Sequence, residues 1–371
     1  MKLLTCCAFL VVAMPALAQR RVVETGSAYR AAPRLRLVET SRWCQSVDAP
    51  GCDFKNISEA IATEDGGLLV ADYRGPIRRF DRSGAFTREL SRKGAGPGEY
   101  RYVHSLQTAG NQVAWYDPVL RRVTRILLAS GQPGEATAVN LPIAIAGFHL
   151  ISGGDLVAFE VPAAAVPGDT VTAVFRTVTR AGSSKVLATV RHPSAYVAGS
   201  PVPMAPPLFS PNTVEDVGWN GDIAHSTALR YDISVFPSAG SAWRLKVDIP
   251  GRPVLPAERD SAIAEEVRSS EVRNVADLPP HTQERIRRAR AAFPQIETLR
   301  VVRDGTVWIR PTSARGATVA RWDVFSREGR RIGFVELPLS ATIKDGTDRW
   351  ILASVLQEDD VPTVVRYDVL R

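Results

Sequence analysis

The sequence predicts an all-β fold: a six-bladed β-propeller of four-stranded antiparallel blades, closed by an N-terminal strand, with a helical insertion between blades 4 and 5. Three observations lead there. An apolar residue followed four positions later by glycine recurs at Phe80/Gly84, Leu127/Gly131, Val178/Gly182, Phe236/Gly240 and Phe325/Gly329, each between two β-rich segments. Upstream of each, and once more near the C-terminus, a turn precedes a short apolar run: EDGGLLVAD, AGNQVAWYD, SGGDLVAFE, WNGDIAHS, RDGTVWIR and KDGTDRWILAS. Turn pairs containing Asp-Gly or Asn-Gly are strong hairpin signals. The first three glycine-to-glycine steps are 47, 51 and 58 residues. Four antiparallel strands per repeat of about 40–50 residues is the rhythm of a propeller blade.

The chain opens with Lys2 and an apolar run ending in Ala16-Leu17-Ala18. That pattern predicts a cleaved signal peptide over residues 1–18, with the cut before Gln19, followed by one propeller domain over 19–371. The run is shorter than the roughly 20 apolar residues that span a bilayer. Removing residues 1–18 takes one lysine and no acid, so the formal charge of +7 falls to +6. The arginines are scattered rather than striped, which argues against nucleic acid as a partner. Cys6 and Cys7 leave with the signal. Cys44 and Cys52, across the turn QSVDAPG, are then expected to form one disulfide in an oxidising compartment.

The step from Gly240 to Gly329 is longer, and the excess is helical in character: residues 256–294 are rich in Glu, Arg and Ala, start at Pro256 and are broken by Leu278–Pro280. Ala262, Ile263 and Val267 fall on one helix face, expected to lie on the propeller. At the C-terminus VRYDVL (365–370) aligns with ARWDVF (320–325), and the chain ends before the turn glycine and fourth strand. An open strand edge invites aggregation. The segment PRLRLVET (33–40), alternating Leu35 and Leu37 with polar residues, is the expected donor of the missing strand.

The loop SRKGAGPGEY (91–100) sets Lys93 beside three glycines, as phosphate cradles do. It lacks the spacing and the strand–loop–helix context that aim backbone amides at an anion. It reads instead as the crossing from blade 1 to blade 2 over the face on which second and fourth strands end, the top. Loops there vary without disturbing the blades, so the top-face candidates for ligand binding are Asp72, Arg74, Lys93, Glu99, Asp117, Arg122, Glu160 and Arg310. Five histidines (His104, His149, His192, His225, His281) show no metal-ligand spacing, and no GxSxG elbow anchors a hydrolase triad. The seven tryptophans are expected to pack between blades. The Pro-rich loop 192–212 and the insertion are placed to roof the channel mouth.

GAGPGEY after an outer strand, with ADYRGPIRRFDRSG before it, resembles the NHL-related six-bladed propellers of bacterial exported proteins. The resemblance covers residues 54–131 and implies fold far more than activity. Lactonase-like propellers hold Ca²⁺ with channel carboxylates. Asp72, Asp117 and Glu160 occupy matching second-strand ends here, but a hard cation wants about six or more oxygens, and Arg310 stands at a fourth. The expectation is therefore a non-catalytic, exported, periplasmic or extracellular monomer binding a protein or small molecule on its top face, with no cofactor. A lactonase-like or lyase-like metal-dependent enzyme, for which Ca²⁺ would be the cofactor, is the rival.

Overall fold

The computed structural model describes residues 20–72, 75–139, 145–152, 154–164, 170–179, 182–193, 207–210, 214–357 and 361–371. The signal segment and Arg74 lie outside them, as do 194–206 and 211–213 of the Pro-rich loop. Six antiparallel sheets follow one another as the blades of a propeller. Blade 1 is Ile57–Ala62, Leu68–Asp72, Ile77–Phe80 and Phe86–Glu89; blade 2 is His104–Ala109, Gln112–Asp117, Arg122–Leu127 and Pro133–Ala138. Blade 3 is Ile145–Leu150, Leu156–Glu160, Thr170–Val178 and Ser184–Pro193; blade 4 is Val214–Val217, Ile223–Ser226, Asp232–Phe236 and Trp243–Val247. Blade 5 is Ile296–Val301, Val307–Pro311, Val319–Phe325 and Arg331–Pro338. Blade 6 takes Thr342–Gly346, Trp350–Leu356 and Pro362–Leu370 from the C-terminus and its outer strand, Arg36–Trp43, from the N-terminus.

The outer strand of blade 6 runs antiparallel to Pro362–Leu370, from Arg36 opposite Leu370 to Trp43 opposite Val364. It sits three residues later than the alternation of Leu35 and Leu37 suggests. The reason is Leu35 itself, which is buried with Trp322, Val335 and Val369 between blades 5 and 6, while its amide bonds the Phe334 carbonyl of blade 5 at 2.8 Å. Residues 20–32 do something the repeat pattern does not announce. Arg20–Glu24 adds a fifth strand, parallel, to the outside of blade 4. A short helix, Gly26–Arg30, capped by Thr25, then carries the chain across blade 5. Its Tyr29 ring meets Tyr231 edge-on at 5.9 Å and lies under the Arg321 guanidinium at 4.2 Å. The N-terminal segment is thus a strap across three consecutive blades.

Between blades, aliphatic and aromatic side chains of neighbouring sheets interdigitate, with Trp115, Trp308 and Trp322 wholly buried. Two polar devices recur. On the outside, a side chain from an outer strand caps the 3–4 turn of the next blade: Trp43 Nε1 donates to the Asp81 carbonyl (3.3 Å), Arg88 to the Ala129 carbonyl (2.6 Å), and Trp243 Nε1 to the Arg327 carbonyl (2.8 Å). The turn glycine is needed for this fit: Gly329 has φ +81°, and a Cβ there would meet the Trp243 ring at 2.7 Å. On the inside, an inner-strand side chain bonds the last residue of the next inner strand. Gln107 donates to the Leu150 carbonyl, and Asp216 and Asp345 accept from the amides of Val301 (2.7 Å) and Ala62 (3.0 Å). The Asp345 bond joins the last blade to the first.

Cys44 and Cys52 form the expected disulfide. The insertion is two helices, Pro256–Ser269 and Pro280–Arg287. Ala262, Ile263 and Val267 face a small separate core with Leu278 and Ile286, and that core is completed by Leu208 and Phe209 from the end of the blade 3–4 connection. Insertion and connection are therefore built as one unit. Among the described residues no helix is long and apolar enough to cross a membrane.

Candidate functional site

Inner strands of a propeller converge on its axis, so their alternate side chains have nowhere to go but the central channel. A cavity of about 350 Å³ occupies it here, lined by all six inner strands or their flanks. Blade 1 contributes Ser58 and Glu59, blade 2 His104 and Ser105 with Tyr102 just before them, and blade 3 Phe148 and His149. Blade 4 contributes Asp216, blade 5 Arg300 and blade 6 Lys344.

One end of the cavity is floored. Trp219, on the turn after the inner strand of blade 4, reaches the apolar cluster shared by blades 1 and 2. Its carbonyl accepts from the Ser152 amide of blade 3 at 2.6 Å. Arg303 stacks on its ring at 3.9 Å and is itself held by Asp345 and by the Ala62 carbonyl. Five blades thus meet at this tryptophan, so the cavity leads toward the opposite end, the top, where Tyr102 and Ser58 begin their strands.

Charge in the channel is arranged by position. Asp216 is buried and accepts from Val301 N–H at 2.7 Å, with Arg300 Nη1 at 3.4 Å and His149 Nδ1 at 3.6 Å. Arg300 also donates through Nε to the Ile343 carbonyl at 3.0 Å. Burial opposes the charge of Arg300, but Asp216 and Glu59 outweigh it and hold the guanidinium firmly protonated. Lys344 donates to the Ser58 carbonyl at 3.1 Å. Burial pulls its pKa down to about 8, with the nearby Arg300 pushing the same way and Glu59 opposing. Burial also lowers His149 to about 4, against the pull of Asp216, so the imidazole is neutral. Glu215, beside Asp216, is pushed up to about 7 by burial and then by its charged neighbour. A histidine pair, His192 and His225, lies between blades 3 and 4 with ring nitrogens 3.3 Å apart among Phe159 and Phe175. Burial lowers them to about 4 and about 3.

The residues singled out in the sequence occupy different places. Asp72 accepts from the amides of Lys55 (3.1 Å) and Asn56 (3.0 Å), at the start of the blade 1 inner strand. Asp117 is fully buried and accepts four amides, those of Arg101, Tyr102, Val119 and Leu120, at 2.7–3.1 Å. These carboxylates set the course of the chain into the channel-lining strands. Glu160 pairs with Arg176 at 3.2 Å, and Arg310 pairs with Glu297 at 3.0 Å and bonds the Ala341 carbonyl. Glu99 turns back into its own loop, accepting from Gly96 N–H and Arg92 Nε, both at 2.7 Å. Arg122 grips the same loop through the carbonyls of Ala95, Gly96 and Glu99. Lys93 is exposed and pairs with Tyr100 as a two-residue parallel strand. Glu99 and Arg122 are therefore brought together; Asp72, Asp117, Glu160 and Arg310 stay on separate blades. Among the described residues no three His, Cys, Asp or Glu are gathered to hold a metal ion. The channel residues Glu59, Arg300 and Lys344 were not singled out in the sequence. Their signal was a charged residue within the first strand of a repeat.

Fold and site define a six-bladed β-propeller with a polar, floored channel. No family model matches the chain, and no curated protein matches it. Among solved structures, a Bacteroides fragilis protein assigned as exported is 13% identical and superposes with a TM-score of 0.53, over 95% of this chain and 99% of its own. Virginiamycin B lyase from Staphylococcus aureus is 10% identical with a TM-score of 0.39, over 90% of this chain and 99% of its own. The Cps50 (Swd1) propeller domain of Myceliophteria thermophila is 11% identical with a TM-score of 0.40, over 90% and 98%. The first shares the fold; the other two are too distant to add to it.

Proposed function

We propose that this chain is an exported, monomeric, non-catalytic binding module of the NHL-like kind, a single propeller domain over residues 19–371, which takes a small polar ligand in its central channel from the top face. The observation that carries the reading is the channel itself: about 350 Å³, floored by Trp219 and lined by a polar or charged side chain from every blade. Concave sites of this size with a few convergent polar groups are the usual form of small-molecule sites. Asp72, Lys93, Glu99, Asp117, Arg122, Glu160 and Arg310 belong, on this reading, to the frame and rim. The insertion with Leu208 and Phe209 roofs the mouth.

The rival, a Ca²⁺-dependent lyase-like or lactonase-like enzyme, is weakened by its donor set. The carboxylates of Asp72 and Asp117 are committed to backbone amides and that of Glu160 to Arg176. Metal content and thermal stability with and without chelator separate the two. The proposal expects no stoichiometric metal and an unchanged melting curve. The binding reading is tested by thermal-shift screening of small polar metabolites against wild type and Lys344→Met. Ligands that stabilise only the wild type are expected; stabilisation of both proteins alike would place the site elsewhere.

A further inference from the structure

Blades 2 and 3 lie across the ring from blades 5 and 6, and the two sides of the channel differ in chemistry. Blades 2 and 3 present rings. Tyr102 and His104 stack with centroids 6.3 Å apart, and Phe148 meets His104 edge-on at 6.3 Å. Blades 5 and 6 present cations, Arg300 and Lys344. Among the described residues Lys344 makes one hydrogen bond, to Ser58, and Arg300 Nη2 makes none. On blade 1, next to Lys344, Glu59 has neither a hydrogen bond nor an ion pair among the described residues, although its charge is felt by both cations. Half-buried on the channel wall, that carboxylate is free to accept from a ligand. One edge of the site thus offers donors for a carboxylate beside an acceptor for an ammonium, and the far wall offers a surface for a flat apolar group.

We infer that the channel, given that it binds a ligand at all, takes a free aromatic α-amino acid, with its carboxylate on Arg300 and Lys344, its ammonium on Glu59 and its ring against Tyr102, His104 and Phe148. An α-amino acid carries its two charged groups on one carbon, which matches charges supplied by adjacent blades 6 and 1. The cavity, about 350 Å³, falls at the lower end of the ~300–1,000 Å³ range of small-molecule sites, as a ligand of this size requires.

The test is calorimetric titration of the full chain at pH 7 with four probes: L-phenylalanine, 3-phenylpropionate (no ammonium), 2-phenylethylamine (no carboxylate) and L-alanine (no ring). L-phenylalanine is expected to bind at least about tenfold more tightly than each of the others, since each leaves one of the three groups of contacts unmade. Glu59→Gln is expected to abolish the preference over 3-phenylpropionate, and Lys344→Met the preference over 2-phenylethylamine. Glu59→Gln is isosteric and breaks no bond of the fold, so the test stands even if Lys344→Met misfolds. Equal binding of L-phenylalanine and any truncated probe, or no heat from L-phenylalanine, overturns the inference. A truncated probe that binds as tightly but is lost in Lys344→Met refutes the amino-acid class and leaves the channel as the site. Binding indifferent to both variants refutes the channel as well.

Discussion

Leu35→Ala tests whether the N-terminal strap belongs to the cooperative ring or merely lies on it. Leu35 is 6% exposed and packs among Trp322, Val335 and Val369, where blades 5 and 6 meet. The neighbouring sheet leaves room for it by placing Gly333 beneath, where a Cβ would be 2.9 Å from the leucine side chain. Truncation removes three carbons beyond Cβ, worth about 0.8 kcal/mol each in transfer alone, or roughly 2.4 kcal/mol. Two β-sheets cannot easily collapse onto the gap, so a cavity term adds to this, and the expected loss is about 3–4 kcal/mol within the usual 2–5 for buried Leu→Ala. Urea unfolding followed by tryptophan fluorescence and by far-UV circular dichroism measures it. A single transition at lower midpoint with unchanged slope is expected, since the surface exposed on unfolding stays the same. A loss below about 1 kcal/mol, or a small early transition that leaves the rest of the curve in place, would refute the strap as part of the ring.

Other outcomes follow from the same geometry. Asp117→Ala strands four backbone amides in a buried site and should cost about 3 kcal/mol or more, read by the same unfolding curve; a loss within 1 kcal/mol would mean water replaces the carboxylate. His149, His192 and His225 all have folded pKa values depressed below 6.5, to about 4, 4 and 3. Their contribution to stability is present above pH 6.5 and is lost as pH falls through 4. Glu215, raised to about 7, acts in the opposite sense between pH 4.5 and 7, but one group against three leaves a net fall toward acid. His192→Phe should shallow that acid limb, and an unchanged limb would contradict it. Ligand binding through Lys344 should weaken as pH rises past about 8, where the ammonium is lost; affinity flat to pH 9.5 would rule the lysine out. Replacing Gly94 by Val sets a side chain against the Glu99 carboxylate that closes its loop, and should lower the melting point without changing the affinity for L-phenylalanine.

The blade rhythm was legible because each hairpin needs a turn residue with positive φ and each strand an apolar run, and both are local. Gly84, Gly131, Gly182, Gly240 and Gly329 all adopt the positive φ that their spacing suggested. The missing sixth outer strand was legible as an absence, and Leu35 and Leu37 pointed to the segment that fills it. Its register was not, because Leu35 packs between two blades rather than alternating within one. Arg20–Glu24 gave no signal at all: it pairs in parallel with a strand more than two hundred residues away, and nothing local encodes that. The carboxylates of Asp72 and Asp117 drew attention as charged residues ending apolar runs. Their partners are backbone amides of loops that leave no mark in the sequence. The channel residues are polar side chains in the middle of half-buried strands, where alternation alone makes Glu59 and Lys344 look like ordinary solvent-facing positions. Only ring closure turns that face inward.

The most direct test of the channel as the functional site is a crystal structure of the full chain grown with L-phenylalanine. Density for the amino acid between the Tyr102–Phe148 wall and Lys344, with its ammonium on Glu59, is the predicted result. Density seated outside the ring, or an empty channel at a concentration where calorimetry shows saturation, would contradict it.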